Sequence, residues 1–357
     1  MKMGLLRNNE SKTPERHPIR WWHIPLLAVL IIGFIYVADE RNASNNLQWK
    51  KNEIQRCEGM TFGTYYHITY NYHTCLHDSI KSVLKKVDSN LSPFNPKSTI
   101  TAINENTSFE TTPMFTEVFN LSKNITSETF GAFDITVANL VNAWGFGFKN
   151  FDKVTPEIID SLITLVGMNN IYIENNKVIK KNPKVKLDCS AIAKGYGVDA
   201  VGIELEKYGI ENYMVEIGGE IRIKGVNPNG TKWKVGISKP NEDSLGINKD
   251  IMQVIKMSNA SMATSGNYRN FYTKDGKKYA HTIDPRTGYP IQHNILSATV
   301  IAEDCATADA YATAFMVLGK DSSIIVLENH PELKAYLICS EEGDSISIWH
   351  SPHMDLE

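Results

Sequence analysis

The chain lacks the signatures of several common site types. It has no Cys-x-x-C pair, no His-Glu-x-x-His and no G-x-x-x-x-G-K-[ST] loop. This argues against a zinc ribbon, a thioredoxin-like centre, an H-E-x-x-H metal site and a Walker A phosphate loop. Ser190 and Ser265 sit in no G-x-S-x-G elbow, so a nucleophile triad fits poorly. The Gly pair of Glu216–Glu220 does not make a G-x-G-x-x-G fingerprint, which disfavours a Rossmann dinucleotide site. There is no basic excess: net charge is −3 over 357 residues, unlike a nucleic-acid-binding domain. Cysteine is sparse, with five residues at 57, 75, 189, 305 and 339. An odd count in an exported chain leaves at least one thiol unpaired, unless it pairs between chains. Cys189 and Cys305 lie in small apolar stretches and read as packing residues. The remaining composition, 42% hydrophobic and 22% charged, is that of a globular protein. It excludes a disordered chain, a collagen and a small disulfide scaffold.

The first 40 residues differ from the rest. Residues 1–23 hold five basic and two acidic groups, net +3, so the remainder carries −6. Trp21–Ala38 is an uncharged 18-residue stretch, just long enough to span a bilayer. The basic flank predicts a cytoplasmic N-terminus at 1–23, a transmembrane signal-anchor at 24–40 and a polar spacer at 41–56. A cleaved signal peptide is the rival reading, but Tyr36 is bulky for a cleavage site after Ala38. Either reading puts the rest of the chain outside the cytoplasm, here on the periplasmic side of the inner membrane.

Hydrophobic periodicity outlines the elements. Thr61–Tyr72 reads as a strand. Asp78–Leu91, Pro113–Phe130 and Thr155–Val166 read as amphipathic helices. Lys177–Asp188 suggests a hairpin turning at Asn182-Pro183. Ala193–Tyr208 is a helix, and Tyr213–Ile217, Glu220–Lys224 and Lys232–Ile237 are strands parted by turn residues. Ser297–Ala302 is a strand and Cys305–Leu318 a helix closed by Gly319. Helices interleaved with hairpin-linked strands favour an α+β fold over a regular parallel α/β one.

Four segments place polar and charged groups in apolar surroundings. In Gly131–Thr136, Asp134 is either a helix cap or a site group, and the nearby Trp144 reads as a core filler. In Leu187–Gly197, a strand runs into a helix start, where free N–H groups and Lys194 suit a phosphate; the alternative is a capping Asp188 and a surface Lys194. In Tyr279–Pro290, His281, Asp284 and Arg286 crowd together, and His281 is either a general base or merely hydrogen-bonded. In Ala306–Phe315, Asp309 and Thr313 are four apart and share a helix face among alanines. Two hard oxygen donors suit Mg²⁺, which completes its shell with water and phosphate. The competing reading has Asp309 near the helix N-terminus and Thr313 bonding back to a carbonyl.

Together with Gly59–Thr64, Glu216–Glu220, Ala263–Asn270 and Ala308–Gly319, these segments resemble, in order, the motifs of the ApbE family of FAD:protein FMN transferases. The resemblance covers about residues 57–345, leaving 346–357 as a tail. It implies an α+β, T-fold-like domain that cleaves FAD with Mg²⁺ and joins FMN through its phosphate to a Thr or Ser of a target protein, releasing AMP. By resemblance, FAD contacts fall at Met60, Phe94, Ala132, Phe133, Asp134, Asp188, Lys194 and Ile283. The metal falls at the Ala191 carbonyl, Asp309 and Thr313, and His281 takes the catalytic role. Where some relatives carry a second Asp, this chain has Ala312. The implied partners are subunits of Rnf-type or Na⁺-pumping NADH:quinone reductase-type complexes. An FAD pyrophosphatase and a membrane-tethered flavin-binding protein are the alternative functions.

Overall fold

The computed structural model describes residues 49, 53–146, 154–240, 250–267, 271–274, 277–280, 282–341 and 345–357. The expected cytoplasmic segment, the anchor at 24–40 and most of the spacer lie outside these residues, as does His281. Among the described residues, no helix is long and apolar enough to cross a membrane.

An antiparallel sheet organises the domain. Its strands are β1 (Ile54–Thr61), β2 (Thr64–Asn71), β5 (Tyr213–Ile217), β6 (Glu220–Lys224), β9 (Ala260–Gly266), β12 (Ile295–Ala302), β13 (Lys334–Ser340) and β14 (Ile346–His350), in that spatial order. Three further ribbons form separate two-stranded sheets: β3 (Ile171–Glu174) with β4 (Lys177–Lys180), β7 (Trp233–Ser238) with β8 (Ile251–Met257), and β10 (Phe271–Lys274) with β11 (Lys277–Ala280). The helices are α1 (His77–Leu91), α2 (Thr99–Asn104), α3 (Pro113–Glu128), α4 (Ala138–Ala143), α5 (Pro156–Ile163), α6 (Ala193–Lys207), α7 (Cys305–Leu318) and α8 (Lys320–Asn329). The mixed, antiparallel architecture is the α+β class expected.

Several boundaries moved for identifiable reasons. The expected strand at 61–72 is half of a hairpin, because Phe62 and Gly63 turn the chain with φ of 51° and 74°. The hairpin expected at Asn182-Pro183 turns instead at Asn175-Asn176, both left-handed. Side-chain amides tolerate that conformation, and two such residues suit a two-residue turn. Asn182 makes only a local loop, accepting from the Lys184 N–H at 2.9 Å. Residues 346–357 are more than a tail. They supply β14, and the Lys256 N–H donates to Asp355 O (2.8 Å) while Glu357 N–H donates to Val254 O (2.9 Å), sealing the outer edge of β8. All five cysteines carry free thiols, with Cys189 and Cys305 buried.

The period-two alternation of β6 sends its side chains to opposite faces. Ile221 and Ile223 pack with Trp233, Val235 and Ile237 of the β7 ribbon, and Trp49 docks on Trp233 with ring centroids 5.7 Å apart. Glu220 and Arg222 face α6, where each meets an opposite charge: Glu220 pairs with Lys194, and Arg222 with Asp199. α7 is buried nearly all round, as its run of alanines allows.

The two helices cap each other. Asp199, on α6, accepts from the first N–H groups of α7, Cys305 at 2.9 Å and Ala306 at 2.8 Å. Asp309, on α7, accepts from the Gly195 N–H near the start of α6 at 3.0 Å. Carboxylates there satisfy orphan donors and complement the positive dipole ends.

Burial pushes the Asp199 carboxyl up to about 6, against the pull of the Cys305 N–H and of Arg222. The folded state therefore holds this proton more tightly than the unfolded chain. By linkage, the group's contribution to stability is fully present below about pH 4 and is lost as pH rises through about 6. Asp199→Asn removes that dependence. Relative to the variant, the wild type should lose about 2–3 kcal/mol between pH 4 and pH 7, read from urea midpoints at each pH.

Candidate active site

One cleft of about 1450 Å³ gathers most of the residues singled out in the sequence. Phe94, Ala132, Phe133, Asp134, Asp188, Ala191, Lys194, Ile283, Asp309 and Thr313 all line it. Met60 does not. It stands on β1 opposite Tyr65, 68% exposed, beside a smaller depression of about 590 Å³. His281 lies outside the described residues, but its neighbours Thr282 and Ile283 reach the cleft wall, where Thr282 donates to Asn267 Oδ1 at 2.9 Å.

The floor is built from α6, α7 and β6. α6 crosses α7 so closely that a Cβ on Gly195 would sit 2.3 Å from the Cys305 carbonyl oxygen. That approach brings Asp309 beside the first turn of α6. Asp309 Oδ2 takes the Gly195 N–H, and Oδ1 lies 4.0 Å from Lys194 Nζ. Gly195 is the third residue of α6, so its N–H has no acceptor within the helix, and Asp309 supplies one. The carbonyl of Ala191, just ahead of the helix, receives no N–H among the described residues. Ala191 lines the cleft, so this carbonyl is a hard oxygen donor beside the helix start. One turn along α7, Thr313 Oγ1 lies 3.1 Å from Ser265 Oγ on β9.

Lys194 keeps 33% of its side-chain surface open to the cleft. Burial alone would lower its ammonium, but the Asp309 and Glu220 carboxylates outweigh that and hold it above its ordinary value. Glu220 carries no role in the sequence reading beyond its place in a Gly-Gly motif. Its carboxylate is buried, bonds Lys194 through Oε1, and leaves Oε2 without a hydrogen-bond partner. Burial pushes this carboxyl upward, against the pull of Lys194. Period-two alternation on β6 would have pointed Glu220 toward α6; what hid it was that its partner is 26 residues back in the chain.

Other motif residues have structural partners. Asp134 Oδ1 accepts from the Thr136 N–H (2.8 Å) and hydroxyl (2.6 Å), capping a short 3₁₀ turn, and burial raises its carboxyl. Asp188 Oδ1 accepts from the Ser190 N–H at 2.8 Å. Trp144 is a core residue whose indole donates to Gly288 O at 2.8 Å. Asp284 and Arg286 form a two-pronged pair within one turn. The start of α6 offers fewer N–H groups to a phosphate than expected, because Ala193 donates to Cys189 O and Gly195 to Asp309. The ammonium of Lys194 is the cationic group at that helix start.

Ala191 O, Asp309 Oδ1 and Thr313 Oγ1 are hard oxygens on one wall. They fit Mg²⁺, which needs few protein ligands. Among the described residues, no group of three or more His, Cys, Asp or Glu side chains is placed to hold a metal.

Residues 62–337 match the family model described as the ApbE family. The chain is 39% identical over 315 residues to the FAD:protein FMN transferase of Haemophilus influenzae, covering 84% of this chain and 90% of that protein. It is 37% identical over 305 residues to the protein of the same name from Vibrio cholerae, covering 82% and 90%. Its fold matches the solved structure of the flavin transferase ApbE from Vibrio cholerae with a TM-score of 0.75 at 35% identity, covering 84% of this chain and 97% of that one.

Gly195→Ala should test whether the helix crossing builds the floor. The added methyl meets backbone, which has no rotamer to yield. The variant should lose about 3 kcal/mol or more, or fail to accumulate as folded protein, measured by thermal denaturation.

Proposed function

Because the chain belongs to the ApbE family, we propose that it is an Mg²⁺-dependent FAD:protein FMN transferase. The observation that carries this reading is the convergence of Asp309, Thr313, the free Ala191 carbonyl and Lys194 on one cleft wall. The large cleft suits a dinucleotide, and Phe94, Phe133 and Ile283 give it apolar surface for a flavin or adenine ring.

Asp309, Thr313 and Ala191 would hold Mg²⁺, which when bound supplies positive charge to phosphate oxygens. Lys194, fixed by Glu220, adds a protein cation to the same phosphates. The acceptor hydroxyl oxygen bonds the FMN phosphorus, the bond from that phosphorus to the AMP oxygen breaks, and His281 takes the hydroxyl proton. Asp134, engaged with Thr136, shapes the wall.

The acceptor we favour is a Thr or Ser of a redox subunit of the Rnf or Na⁺-pumping NADH:quinone reductase type. An N-terminal anchor at 24–40 would hold the domain at the outer face of the inner membrane beside such a target.

The test is intact-protein mass spectrometry of an acceptor domain incubated with the full-length chain, FAD and Mg²⁺. The acceptor should gain the mass of one FMN phosphoester, and EDTA should prevent it. AMP release with no gain on any acceptor would replace transfer by pyrophosphatase activity. Asp309→Ala should cut transfer by about 100-fold or more per folded molecule, and Asp309→Asn, which keeps an oxygen for the Gly195 N–H, should lose activity while its circular dichroism matches wild type. Unchanged activity in that variant would remove Asp309 from the metal site.

A further inference from the structure

Among the described residues, the cleft lining is acidic. Its floor sets two carboxylates, Asp309 and Glu220, against one ammonium, Lys194. Among the other described lining residues are four more carboxylates, Asp134 and Asp188 among them, and one further lysine, Lys186. The pyrophosphate of FAD brings two more negative charges. Lys194 alone does not offset this, because its nearest partner is already Glu220.

Glu220 differs from the other carboxylates. It is 3% exposed, so water screens it little, and its Oε2 has no hydrogen-bond partner. The Asp309 carboxylate at least carries the Gly195 N–H. A buried, half-satisfied carboxylate costs free energy unless something else uses its charge.

On the proposed FAD reading, we infer that Glu220 makes FAD binding depend on the divalent cation, by holding the cleft floor net negative and Lys194 engaged until the cation arrives. The cation at Asp309, Thr313 and Ala191 reverses the sign of the floor, and the pyrophosphate then meets positive charge. Glu220 is thus a positioning residue for Lys194 and the source of a coupling free energy between two ligands. Such coupling is reciprocal, so FAD tightens the cation by the same factor.

The experiment measures the Kd of FAD by quenching of flavin fluorescence, with full-length protein at pH 8, in MgCl₂ and in EDTA. The ratio of the two Kd values is the coupling factor. Wild type should show a factor of about 100, within the usual range for coupled sites. Glu220→Gln keeps the shape and a bond to Lys194 but removes the charge. It should tighten FAD in EDTA and reduce the factor to about 10. Lys194→Met removes the opposing charge and should raise the factor above that of wild type. A factor in Glu220→Gln equal to the wild-type value, or a lower one in Lys194→Met, would overturn the inference while leaving the transferase reading intact. Wild-type protein that binds no FAD even with Mg²⁺ would overturn both.

Discussion

The mutual capping of α6 and α7 is the constraint on which the site depends. Asp199 closes the start of α7, and Asp309 closes the start of α6. Each carboxylate satisfies backbone donors that would otherwise be orphaned inside the protein. The exchange fixes the two helices in register and in distance, and it works only because Gly195 has no side chain. The carboxylate proposed to hold the metal, Asp309, is therefore set by the same bonds that set the fold. Arg222 extends the arrangement into the sheet, donating to Asp199 at 2.8 Å and to Tyr213 at 3.0 Å.

The same bonds shape the wall of the cleft. Asp309 gives one carboxylate oxygen to the Gly195 N–H and keeps the other 4.0 Å from Lys194, while the Ala191 carbonyl just ahead of the helix receives no N–H among the described residues. The small residues that line the cleft there, Ala191 and the glycines of the β5–β6 turn, leave room for a ligand to approach the backbone. Gly218 and Gly219 in that turn have φ of 65° and 106°, which only glycine adopts without strain. The turn can thus bring Glu220 back under α6 in the shortest possible connection.

Much of this was legible in the sequence because it is local. Cys305–Leu318 reads as a helix from its alanine run and Gly319 stop, and its observed bounds are the same. Tyr213–Ile217 and Glu220–Lys224 read as strands from alternation and a Gly-Gly turn. The pairing of Asp309 and Thr313 on one face follows from helical spacing. What stayed hidden is long-range. The partners of Lys194 and Asp199 sit on a strand and on a helix more than 20 residues away. The strand β9, with Ser261, Thr264 and Ser265 in place of a hydrophobic alternation, carries little strand signal of its own and is held by its neighbours on both sides. Met60 belongs to its motif in the sequence, yet on β1 it lines a smaller depression and not the cleft that collects the rest.

The order of strands in the sheet rises steadily along the chain: β1, β2, β5, β6, β9, β12, β13, β14. Every strand number missing from that series belongs to a ribbon that pairs with itself. β3–β4, β7–β8 and β10–β11 are closed detours, after which the chain returns to the edge it left. No later strand has to be threaded between two earlier ones. The sheet can therefore grow in a single direction, each new strand adding to the last edge as the polypeptide emerges during synthesis. The detours leave the strand order of the sheet that carries Glu220 and Ser265 uninterrupted, and the β7–β8 ribbon returns to pack on that sheet through Trp233, Val235 and Ile237.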